Sequence, residues 1–156
     1  MSKFLIQKPI IHLPNIPKTG VPYEIIAERM LENKIQPMLK PYNMHLDNYY
    51  WFTTLEGWGK ILYDLVFSSN LYREDVFDCE NYALKAMILC AERHGLNTLF
   101  LCLGNIPAGY HGFNIFPFGK GRIDGMKLWE PNAGFEYSGE PFGIGHYGYL
   151  PELVLI

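Results

Sequence analysis

Three residue types that can share one proton occur in this chain at Cys79, His111 and Glu130. A thiol attacks a carbonyl carbon as its thiolate, and an imidazole that accepts the thiol proton supplies that anion at neutral pH. A carboxylate behind the imidazole fixes its tautomer and supports the imidazolium that forms. The set therefore suits acyl transfer through a thioester. Taken singly, each residue also has a plainer reading: Cys79 as a buried apolar thiol, His111 as a hydrogen-bonded core histidine, Glu130 as a solvated carboxylate. Asn132 is a second candidate for orienting the imidazole, because an amide oxygen can play the same part.

The elements that must position these groups are legible in outline. Asp78 is a good N-cap, Cys79 follows as the first helical residue, and the helix continues to His94, where Gly95 supplies a stop. At that first position unpaired N–H groups and the positive end of the helix dipole favour an anion. Cys79, Ala83, Cys90 and His94 share one helical face, predicted to pack on a sheet. Cys90 and Cys102 lie among apolar neighbours in a helix and a strand and read as inert. His111 belongs to an alternating strand, Tyr110 to Phe118, in which Phe113 and Ile115 share its face, the face expected to meet the helix. Gly112 removes side-chain bulk, as would suit close approach of a substrate backbone. Glu130 ends the next strand, Met126 to Glu130, and Pro131 stops it there.

The remaining pattern is helices first and strands afterwards. Residues 1–22 form a Pro-containing arm, with Pro9, Pro14, Pro17 and Gly20 opposing a helix or central strand. A helix is predicted from Tyr23 to about Lys34, and a second is opened by the Thr53-x-x-Glu56 capping box and ends near Ser68. Strands are expected over Thr98 to Leu103, the two segments above, and Leu150 to Ile156. This order predicts an α+β fold with an antiparallel sheet, residues 1–156 forming a single domain.

Composition narrows the partners. The formal net charge of −3 leaves no basic stripe for a phosphate backbone, so no nucleic-acid partner is expected. No segment approaches the ~20 apolar residues that cross a bilayer, so no membrane partner is expected. Three cysteines without paired or metal-type spacing argue against a disulfide framework or a structural zinc site. With no signal peptide evident at the amino terminus, the expected location is cytoplasmic.

Asp78-Cys79-Glu80-Asn81-Tyr82-Ala83, then His111-Gly112-Phe113-Asn114, then Glu130-Pro131-Asn132, resembles the papain-like and transglutaminase-like cysteine peptidase superfamily. Within it the blocks are most similar to bacterial and phage transglutaminase-like cysteine proteinases and to the mushroom agglutinin protease domain. The resemblance spans residues 72 to 132 and implies Cys79 as nucleophile, His111 as base and Glu130 as third member, acting on a peptide or protein substrate. Asn81 stands where the family carries an acid, Gly112 where it carries Ala, and Asn132 where it carries Gln. The resemblance implies no required cofactor, although some members hold calcium or manganese near the nucleophile. Asp78 and Glu80 are the candidate ligands for such a divalent cation, and both already have roles at a helix start. The same triad serves a transglutaminase or deamidase, and a non-catalytic, phage-associated binding module could keep the fold with its site idle. Asn48-Tyr49-Tyr50-Trp51 and Gly145-His146-Tyr147-Gly148-Tyr149 are aromatic enough to wall a substrate groove, with Trp51 the candidate contact, or simply to pack. His146 has no evident partner.

Overall fold

The computed structural model describes residues 14–156. The part of the expected arm before residue 14 lies outside the described residues. Its remainder is not wholly irregular: Thr19–Pro22 form a strand, β1, paired antiparallel with β3, Tyr49–Phe52. Gly20 makes this pairing possible at Trp51, since a side chain at Gly20 would collide with the Tyr49 and Trp51 rings.

Between them lie α1, Tyr23–Glu32, and the two-residue strand β2, Gln36–Pro37. Helix α2 covers Leu55–Ile61 and tightens into a 3-10 turn over Leu62–Leu65, short of the expected Ser68. Its cap is Thr54 rather than Thr53: the Gly57 N–H donates to Thr54 Oγ1 at 3.0 Å, while the Thr53 hydroxyl donates to the Pro17 carbonyl. The Thr53 hydroxyl is thus spent on a tertiary bond and does not cap the helix.

Helix α3 runs Cys79–His94 as its sequence predicts. The Asp78 N–H donates to Asn81 Oδ1 at 3.1 Å, which closes the first turn, and Gly95 ends the helix in the left-handed region at φ 62°. Ala83, Cys90 and His94 are buried on the expected face.

Four longer strands follow: β4, Phe100–Ile106; β5, Gly109–Phe118; β6, Gly125–Trp129; and β7, Leu150–Val154. Together with β2 they form a five-stranded sheet in the order β2-β7-β4-β5-β6. The sheet is mixed, not purely antiparallel, because β2 pairs parallel with β7. β2 is too short to produce a periodic signal, so its sequence does not reveal it.

Helix α3 packs over β5 and β4. The face of β5 that meets it carries Gly112 and Asn114: a side chain at Gly112 would strike the Glu80 and Cys79 backbone, and Asn114 Nδ2 donates to the Ala83 carbonyl at 3.0 Å. His111, Phe113 and Ile115 alternate onto the opposite face, the reverse of the expected assignment. Residues of both faces of β5 are buried here, so alternation alone does not say which set meets the helix. The core is continued by Trp58 of α2, whose ring lies 4.5 Å from Phe116 and whose Nε1 donates to the Pro117 carbonyl at 2.8 Å. No helix among the described residues is long and apolar enough to cross a membrane.

Candidate active site

The start of α3 comes down on β5 at Gly112, and Cys79 and His111 line the same two clefts. Here the close approach that Gly112 permits is that of the chain's own helix, not of a substrate backbone. A Cβ at this position would sit 2.8 Å from the Glu80 nitrogen and 2.9 Å from its Cα.

His111 and Glu130 are both buried, with side chains 7% and 1% exposed, and His111 Nε2 lies 2.8 Å from Glu130 Oε2. Antiparallel pairing of β5 with β6 brings them together from neighbouring strands. Because Nε2 is taken by the carboxylate, Nδ1 is the ring nitrogen left for the thiol. Burial opposes charge on this ring most strongly, yet hydrogen bonding by the Cys79 sulfur and by Glu130, reinforced by their charges, raises its pKa to about 9. His111 therefore holds its proton at neutral pH.

A carboxylate taken out of water needs donors around it. Glu130 has three: His111 Nε2 and the Tyr149 hydroxyl, at 3.1 Å, both on Oε2, and the Asn132 N–H on Oε1 at 3.0 Å. The Ser138 hydroxyl donates to the Glu130 carbonyl at 3.0 Å. Asn132 does not orient the imidazole: its Oδ1 accepts the Gly134 N–H at 2.9 Å, and the acid two residues earlier occupies the imidazole's free side.

Two clefts meet at Cys79 and His111. One, of about 340 Å³, is walled by Tyr72, Ile106, Tyr110, Asn132 and Phe135, and the Phe135 ring lies 4.6 Å from that of His111. The other, of about 230 Å³, is walled by Glu80, Leu103, Tyr110 and Gly112. A larger hollow of about 640 Å³ lies along α1, among Glu24, Glu28, Lys40 and Met44. It contains no thiol, and its one histidine, His45, stacks on Tyr23, so size does not make it the reactive site.

The thiol also touches a carboxylate, with Cys79 Sγ 3.2 Å from Glu80 Oε2. Asp78 and Glu80 influence each other: burial and a hydrogen bond with Glu80 push Asp78 up, whereas Glu80 is lowered because its own backbone N–H, Asp78 and Cys79 outweigh burial. Calcium takes six to eight oxygens, Asn81 is spent on the helix cap, and among the described residues no group of three or more His, Cys, Asp or Glu side chains is arranged to hold a metal.

Burial raises the Cys90 thiol to about 12 and pushes Cys102 further up, consistent with their inert reading. Trp51 lines neither cleft; its ring covers Gly20 in the β1-β3 ladder, and its backbone N–H donates to Asn97 Oδ1 at 2.7 Å. His146 also lines neither and sits in a 3-10 turn beside Tyr147. The residues that motif reading missed are Tyr149, Phe135 and Ser138. Only Tyr149 had a signal, as a member of an aromatic cluster whose polar end could not be assigned a partner.

No family model matches the chain, and no curated protein matches it. The fold is similar to a solved structure of PSL1a in complex with E64, with a TM-score of 0.59 over 88% of this chain at 16% identity. The chain spans about half the length of that protein, 51%.

Proposed function

We propose that the protein is a thiol-dependent hydrolase that cleaves peptide or amide bonds through a thioester on Cys79, on a papain-like/transglutaminase-like form of the α+β fold. The observation that carries this reading is the buried His111 ring, bonded to Glu130 at 2.8 Å and lining with Cys79 the same two clefts. In the reaction the Cys79 thiolate forms a bond to the carbonyl carbon, and the first-turn N–H groups of α3 steady the developing oxyanion. As the tetrahedral adduct collapses the C–N bond breaks, and the leaving amine takes the proton from His111 Nδ1. Water, deprotonated by the same nitrogen, then attacks the thioester and releases the acid and the thiol. Glu130 holds the ring in the required tautomer throughout.

Two features bear on the rival readings. An amine in place of water would make the same site a transglutaminase, and the same thioester formed on a side-chain amide would make it a deamidase. The contact between Cys79 and Glu80 favours an idle binding module, since it offers the thiol proton a second acceptor. Glu80 is exposed, however, so water competes for its carboxylate, whereas the imidazole is buried and anchored.

Iodoacetamide alkylation of Cys79 at pH 7 should fall by ~10²-fold or more in H111Q, a loss typical of removing a positioned base. An unchanged rate would rule out a thiol activated by this ring. Incubation with a peptide library, with and without a primary amine, separates the products: cleavage supports the peptidase, amine adducts without cleavage a transferase, and side-chain acid formation a deamidase. E64, seen bound to PSL1a, is a suitable first ligand, and its binding should be lost in C79A.

A further inference from the structure

We infer that Tyr149 is a positioning residue of the reactive site, fixing the Glu130 carboxylate so that Oε2 faces His111. The inference rests on the hydrolase reading and adds a fourth residue to it.

Glu130 is fully buried at the end of β6, where its side chain could rotate away from the imidazole unless both oxygens are held. The Asn132 N–H holds Oε1. On Oε2 the carboxylate accepts two bonds, one from His111 at 2.8 Å and one from Tyr149 at 3.1 Å. A carboxylate can only accept, so the phenol must be the donor. Burial and the neighbouring Glu130 charge push the phenol pKa up, so it remains a donor across the working range. Tyr149 is itself 1% exposed and held edge-on by Phe113 at 5.1 Å and Phe142 at 4.9 Å, so its hydroxyl is placed by packing, not by the bond it makes. Its ring also meets the His111 ring edge-on at 6.1 Å. The phenol is therefore rigid, and the carboxylate it grips cannot swing without losing that bond.

The test is Y149F, which removes the hydroxyl and keeps the ring. In the wild type, His111 observed by NMR should titrate near about 9. In Y149F the carboxylate is free to turn from the ring, and that titration should move down toward the 6.5 of an unpaired imidazole. In an E130A background, Y149F should produce no further movement, because the group it positions is gone. Alkylation of Cys79 by iodoacetamide at pH 6 should slow together with the His111 shift. A His111 titration unchanged in Y149F, or an equal shift with and without Glu130, would overturn the inference. Should Y149F unfold, the Tyr149 hydroxyl proton is followed by NMR in the wild type, where protection from exchange supports its bond to Glu130 and rapid exchange overturns the inference. The hydrolase reading fails separately, when H111Q leaves Cys79 alkylation untouched whatever Y149F does to the ring.

Discussion

At the scale of single residues, the charge on His111 has a consequence for stability. Its pKa is raised from 6.5 to about 9 in the fold, so its protonation contributes stability that is fully present below pH 6.5 and is lost as pH rises through about 9. Urea denaturation of the wild type and H111Q should differ most near pH 6 and converge toward pH 10. A difference that grows with pH would mean that the ring is neutral in the folded protein. Cys79, His111 and Glu130 were legible as a set because each stands at an element end or on a strand with a recognisable boundary: an N-cap, an alternating run, a proline stop. Tyr149 was not, because its role depends on a hydroxyl meeting a carboxylate from another strand, and no local pattern encodes that meeting. The groove contact given to Trp51 and the orienting part given to Asn132 fail for the converse reason, although Asn132 does line the cleft beside Cys79 and His111. An aromatic cluster and an amide are compatible with a groove, and only tertiary contacts show that one covers a glycine while the other closes a turn.

Between elements, the decisive contact is that of α3 with β5. G112A places a Cβ against backbone atoms, which cannot turn aside as a side chain would. It should cost ~1–3 kcal/mol, as overpacking does, and should slow Cys79 alkylation by more than the stability loss explains, because the displaced atoms belong to Cys79 and Glu80. Thermal melts alongside alkylation rates check both. N114A removes the tie from Asn114 to the Ala83 carbonyl and should destabilise by ~1–3 kcal/mol through the buried acceptor it strands. Helix α3 was legible to the residue because a cap, a periodic face and a terminal glycine agree over 16 residues. The face of β5 was not: both of its faces are buried, so alternation fixes two sets of residues without saying which set meets the helix.

For the molecule as a whole, β7 is the strand on which the sheet depends, since it alone joins β2 to β4. Val154 is fully buried in register with Cys102 on one side and Pro37 on the other. V154D would bury an unpaired charge there, at a cost of several kcal/mol; circular dichroism should show the loss of cooperative unfolding. The α+β class was readable because the long helices and the long strands separate along the chain. The mixed character of the sheet was not, because it depends on a two-residue strand whose partner lies more than a hundred positions away. Where α3 rests on Gly112, main chain meets main chain. The location of the sulfur is thereby set by geometry common to every amino acid, apart from that one glycine. Exchange of a core side chain such as Phe116 for one of similar volume should alter how firmly the protein holds together while leaving that main-chain contact in place.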